Sequence, residues 1–136
     1  MQSGLCPWKG EIMNVRSYIA EHLTEIVRNG PEAEASIVFG EDFSVFRGHF
    51  PGNPTLPGVC ELICVEVLLE KIFGKTAALT DLSKAKFFSP IAPEEPLKIE
   101  LSGLPADSGE LSGAELSARL VSRSRKIAVF TKFRVG

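Results

Sequence analysis

The sequence predicts an α+β fold in which an antiparallel sheet wraps round one long central helix. Three observations carry that expectation. The stretch from Gly58 to Phe73 has helical spacing but is apolar on nearly every side, as a helix enclosed by protein must be. Later stretches alternate apolar and polar residues and are separated by hairpin-length turns. The 136 residues suit one domain, long enough to bury a core without disulfides.

Residues 1–14 read as a loose leader, with Gly4, Pro7 and Gly10 in it and Met13 as an alternative start; residues 15–136 read as a single domain. From Val15 to Arg28 the apolar residues Val15, Leu23, Ile26 and Val27, with Ile19, share one helical face. Asn14 can cap this helix, and Asn29, Gly30 and Pro31 stop it. Ala33 to Gly40 reads as a strand, Glu41 and Asp42 as a turn, and Phe43 to Phe46 as a short extension. The central helix follows, with Pro57 where a first-turn proline is tolerated and Gly74 as its stop. Ala77 to Phe88 contains one or two strands. Pro96 to Leu104 alternates cleanly, with Leu97, Ile99 and Leu101 on one face. The stretches 111–123 and 126–136 close the chain as two more strands.

Composition excludes several classes. A net charge of −2, with no massed basic block, argues against a general nucleic-acid binder. No stretch approaches the ~20 apolar residues of a membrane span, and the N-terminus lacks a signal peptide's apolar core. Three cysteines with no paired framework indicate a reducing, cytoplasmic setting. Cys60 and Cys64 lie one helical turn apart. No further Cys or His pair completes a zinc site, so they read as small buried hydrophobes rather than metal ligands or a redox pair.

The segment FRGHFPGNPTLPGVCELICVE, Phe46 to Glu66, concentrates the chemistry. Pro51, Pro54 and Pro57 fix their own φ and push Phe50, Asn53 and Leu56 out of helical geometry. Gly48, Gly52 and Gly58 allow tight turns or close approach of a ligand. This stiff bend holds His49 beside the start of the central helix, where free N–H groups face outward. Backbone donors that polarise an oxygen, next to an imidazole that moves protons near neutral pH, suit carbonyl chemistry. A histidine that merely fills a turn is the alternative.

GHFPGNPTLPGV resembles the signature of the β-hydroxyacyl-acyl-carrier-protein dehydratases of the hotdog fold. The pattern His-Phe-Pro-Gly-x-Pro-x-x-Pro-Gly-Val is met from His49 to Val59. Lys84 to Leu101 resembles the family's strand-turn-strand, with Glu94 in place of the usual turn glycine. The resemblance spans about Ala33 to Gly136, its specific part lying within Phe46 to Val59. It implies a hotdog fold, a homodimer or higher even oligomer, and dehydration of 3-hydroxyacyl thioesters to trans-2-enoyl thioesters without metal or organic cofactor. It implies that His49 is the base on C2 and that the Gly58 N–H binds the thioester carbonyl.

The family's second catalytic group is a carboxylate on the partner's central helix, fourteen residues after the histidine; here that position is Ile63. Two nearby acids are candidates, the alternative being that no helix acid serves and a water or another residue supplies the proton. Glu61 lies about 200° round the helix from position 63 but near the helix start, where the dipole favours an acid. Glu66 lies about 60° away, one turn deeper. Their structural alternatives are a first-turn acid and a partner for a basic side chain. Pro57, Val59, Phe50, Phe87 and Phe88 are candidate substrate-binding residues, and Leu56 and Ile91 further tunnel linings. Lys84 and Lys86 are either a solvated strand face or a steering patch for an acidic carrier protein. His22 receives no role. The substrate is a thioester of acyl carrier protein or coenzyme A. A hotdog thioesterase and a non-catalytic acyl-thioester-binding subunit are the competing readings.

Overall fold

The computed structural model describes residues 7–41, 43, 56–106, 111 and 113–135, with side chains from residue 15 onward. His49, Phe50 and most of the Phe43–Phe46 extension lie outside the described residues.

Helix α1 spans Pro7–His22. It therefore takes in much of the expected leader and ends earlier than the helix expected at 15–28. Pro7 occupies the first position, where its missing N–H costs nothing. Strand β1, Thr24–Asn29, follows directly and pairs antiparallel with β2, Glu32–Val38. Gly30 and Pro31 form the two-residue link between them, with Gly30 at φ 63°. A hairpin turn of this kind needs a positive φ at its first central residue, which glycine supplies. The residues expected to stop a helix thus reverse a strand. Ile26 and Val27 are exposed on β1 rather than part of a helix face.

Helix α2 spans Gly58–Phe73 as the sequence predicts. Pro57 stands before it in extended geometry, and Gly74, at φ 72°, closes it with its N–H on the Glu70 carbonyl at 2.8 Å. Eight of its residues are buried, including Cys60 and Cys64, which sit in the core. Burial pushes the Cys64 thiol well above its ordinary pKa.

Four strands complete the sheet: β3 Leu79–Phe87, β4 Pro96–Ser102, β5 Leu116–Ser122 and β6 Arg125–Val135. The spatial order is β1-β2-β4-β5-β6-β3, with every neighbouring pair antiparallel. The inward residues Ala35, Ile37, Leu97, Ile99, Ala118, Leu120, Phe130 and Phe133 are buried and join the α2 residues in one core. The sheet with its central helix is the α+β hotdog arrangement. β3 is an edge strand whose residues are almost all exposed or half-exposed, and it ends on Phe87.

Helix α1 is clamped against α2. Arg16 donates to Glu66 Oε1 at 2.7 Å and pairs with Glu70, while the Leu79 N–H donates to Glu66 Oε2 at 2.8 Å and the Ala77 N–H to Glu70 Oε2 at 3.0 Å. Two carboxylates thereby tie together α1, α2 and the segment that leads into β3.

Candidate active site

The start of α2 is built by backbone constraints. The Leu56 N–H donates to the Ile91 carbonyl at 2.9 Å, which fixes the incoming chain against the segment after β3. Proline has no side chain that can take a first-turn amide, and none caps this helix. The first N–H groups of a helix have no acceptor within it. Opposite them comes Phe87: a Cβ added to Gly58 would stand 2.9 Å from Phe87 Cε1 and 3.0 Å from Cζ. Only a glycine lets that ring lie so close to the helix start. Phe87 also meets the buried Phe130 edge-on, with ring centroids 5.6 Å apart.

Around this point lies a pocket of ≈ 420 Å³, lined by Leu56, Gly58, Glu61, Phe87, Phe88, Ser89 and Pro90. Its volume falls in the range of small-ligand sites, and its walls are mainly apolar, as such sites usually are. Phe87 and Phe88 are 53% and 50% exposed, so two aromatic rings stand at its open side. Lys126 Nζ sits 5.0 Å from the Phe88 ring centroid, a favourable cation–aromatic distance. Wider hollows of ≈ 600 and ≈ 640 Å³ lie among alternate sheet residues such as Lys98, Glu100 and Arg119, and contain none of the candidate residues.

Glu61 is the unusual group in the pocket. It is 2% exposed, and its Oε1 has no hydrogen-bond partner among the described residues. An ionised carboxylate without partners is strongly disfavoured in such a place. Burial raises its pKa from the ordinary 4.5 to about 8. Proximity to the helix start favours the charged form, but here desolvation outweighs it. Burial thus favours the neutral, proton-bearing form of the Glu61 carboxyl.

The other candidates separate. Glu66 faces Arg16 and the Leu79 amide, the basic-partner alternative raised by the sequence, and does not line the pocket. Ile63 is 5% exposed and belongs to the core. Ile91 is wholly buried, and Val59 points outward, exposed, next to the pocket rather than in it. Pro57 precedes the helix as its cap residue. Ser89 and Pro90 line the pocket and were not anticipated; their position directly after the two phenylalanines was the only available signal. His22 stacks on Tyr18 at 3.8 Å between centroids, and its Nδ1 lies 2.7 Å from the Tyr18 carbonyl. Among the described residues no group of His, Cys, Asp and Glu could hold a metal ion.

A family model described as ApeI dehydratase matches residues 25–118, more than half of the chain. The chain belongs to the ApeI-like dehydratase family. The 3-hydroxyacyl-[acyl-carrier-protein] dehydratase FabZ of Lactococcus lactis is 30% identical over 118 residues, covering 82% of this chain and 76% of that protein. A FabZ of Enterococcus faecalis is 36% identical over 93 residues, covering 59% of this chain and 64% of its own length, just under two thirds. Among solved structures, the dehydratase heterocomplex ApeI:P from Xenorhabdus doucetiae superposes with a TM-score of 0.68 at 19% identity, covering 83% of this chain and 95% of that one. The Escherichia coli PaaI protein of the phenylacetic acid degradation operon gives 0.60 at 13% identity, covering 93% and 95%. At these identities the structural likeness supports the fold. The ApeI-like family model and the FabZ relatives place the chain among dehydratases. No helix among the described residues is long and apolar enough to cross a membrane.

Proposed function

We propose that this ApeI-like chain removes water from 3-hydroxyacyl thioesters to give trans-2-enoyl thioesters, with His49 as the base and the Gly58 N–H as the carbonyl donor. The observation that carries the reading is the pocket at the start of α2, where the Phe87 ring lies against Gly58 and Phe88 also lines the wall. A thioester carbonyl seated on the Gly58 amide gains negative charge as C2 loses its proton to His49. A fixed donor favours that charge in the transition state more than in the ground state. Phe87, Phe88 and Leu56 line the apolar side of the pocket and would receive the acyl chain. The names of the FabZ relatives favour an acyl-carrier-protein thioester over a coenzyme A thioester. Glu66 is left out of the chemistry, because Arg16 and the Leu79 amide occupy its oxygens.

The working unit in this reading is a dimer in which a second copy covers the exposed edge of β3 and the half-exposed Phe87 and Phe88. Light scattering on the purified chain tests this: a mass of 14.8 kDa, that of one chain, would contradict it.

Incubation with 3-hydroxyacyl and enoyl thioesters tests the reaction. The expected result is interconversion of the two without release of free thiol. Thiol release would mark a thioesterase, and binding without turnover a non-catalytic acyl-binding subunit.

A further inference from the structure

Dehydration also needs a proton for the departing 3-hydroxyl, since hydroxide is a poor leaving group at neutral pH. Ile63 cannot supply it, and Glu66 is held in an ion pair away from the pocket. We infer that Glu61 donates this proton, acting from the same chain that supplies the Gly58 amide. The inference rests on the dehydratase reading above.

Glu61 and Gly58 are three residues apart on one helix, so they share a face about 4.5 Å apart along the axis. The carbonyl oxygen on C1 and the hydroxyl on C3 of a 3-hydroxyacyl thioester are also separated by only a few ångströms. One substrate can therefore rest its carbonyl on the amide and its hydroxyl on the carboxyl. The unpartnered Oε1 of Glu61 is the hydrogen-bonding capacity that a substrate hydroxyl would satisfy.

With His49 as the base of the proposed function, the electron and proton balance closes. The imidazole of His49 takes the C2 proton, and the C2–H electron pair becomes the second bond between C2 and C3. The C3–O bond breaks, and its oxygen leaves with the Glu61 proton as water. The imidazolium then loses a proton and the Glu61 carboxylate regains one through solvent, so no redox partner is required.

Among the described residues no charged side chain lines the pocket with Glu61; Ser89 is its other polar lining residue. On its own helix the neighbouring Cys64 is held neutral by burial. The acid is thus poised by its apolar setting, with an upper working limit near pH 8.

The test compares wild type with Glu61→Gln in two assays: dehydration of a 3-hydroxyacyl thioester across pH, and exchange of the C2 hydrogen of a saturated acyl thioester in deuterated water. Gln is the neutral isostere of the protonated acid, so the variant is expected to fold, which a thermal melt confirms; Glu61→Asp serves as a second variant. The expected result is a loss of dehydration of about 10²–10⁴-fold, partial recovery in Glu61→Asp, and C2 exchange that persists. The wild-type rate is expected to fall above about pH 8, and the residual rate of Glu61→Gln to lack that fall. Wild-type dehydration by Glu61→Gln, or a loss of exchange equal to the loss of dehydration, overturns the role of Glu61 while leaving the dehydratase reading in place. A wild-type protein that neither exchanges nor dehydrates overturns both.

Discussion

The ring of Phe87 lies against the bare Cα of Gly58, so closely that an added methyl would meet its edge at 2.9 Å. The residue that begins the central helix and the residue that ends the edge strand are thus fitted to each other at the mouth of the pocket. The atoms met are the far end of the Phe87 side chain, which can turn aside when pressed. Gly58→Ala is therefore expected to cost less than about 1 kcal/mol of stability, as a surface-side adjustment does, but to lower dehydration by displacing the ring or crowding the amide. The double variant Gly58→Ala/Phe87→Ala recovers activity relative to Gly58→Ala alone, a coupling read from a double-mutant cycle. Additive losses would show that the two residues act independently.

Glu61 gives the fold a distinctive dependence on pH. In the unfolded chain its carboxyl ionises near 4.5, whereas the folded protein holds the proton to about pH 8. Between those values the folded state binds one more proton than the unfolded state, so stability falls as pH rises. Below 4.5 both states hold the proton and above about 8 both release it, so this contribution levels off at either end. Glu61→Gln removes the titration. Urea unfolding at pH 5 and pH 8 should show the variant gaining several kcal/mol over wild type at the higher pH. A constant difference between the two proteins would mean that the carboxyl is not held neutral.

Arg16 joins Glu66 and Glu70, and with them helix α1 to α2. Replacing it with alanine leaves two partly buried carboxylates with only the Leu79 and Ala77 amides. Partial solvent exposure of the arginine moderates the loss, which is expected at about 1–2 kcal/mol in a denaturation series. The kcat of the folded protein should be unchanged, since the proposed chemistry does not use Glu66. A fall in kcat at unchanged stability would return Glu66 to the candidate acids.

Glu94 stands where the resembled family has glycine, and its φ is 67°. This left-handed geometry costs a non-glycine residue about 1–2 kcal/mol. Its side chain offsets part of that, because Oε2 accepts the Glu41 N–H at 3.1 Å while its own N–H donates to the Phe39 carbonyl at 2.7 Å. Glu94→Ala keeps the backbone cost and loses the carboxylate contact, so it should destabilise by about 1 kcal/mol. Glu94→Gly loses the contact but relieves the backbone, and should lie closer to wild type. The opposite order of the two variants would remove this explanation.

Particular residues show what could be read from the chain and what could not. The limits of α2 were legible because Pro57 and Gly74 act locally and the apolar run between them has one explanation. The alternation of Leu97, Ile99 and Leu101 likewise marked β4, since each side chain depends only on its own strand. Ile26 and Val27 misled because they continue the helical spacing of Val15, Ile19 and Leu23. The Gly30–Pro31 link, two residues between β-branched stretches, was the contrary signal. Glu61 and Glu66 were both visible as helix acids, yet their environments were not. The difference lies in Arg16, fifty residues from Glu66 in sequence, and in the absence of any such partner at Glu61 among the described residues. Such long-range pairings leave no trace in local spacing. His49 was named from its proline frame and lies outside the described residues.

The most direct test of the account is the rate at which the purified chain interconverts a 3-hydroxyacyl and an enoyl thioester, measured beside a folded His49→Ala variant. The account predicts that wild type reaches the same equilibrium ratio from either direction without releasing thiol, and that His49→Ala is slower by at least about a hundredfold. Equal rates in the two proteins, or free thiol as the product, would contradict it.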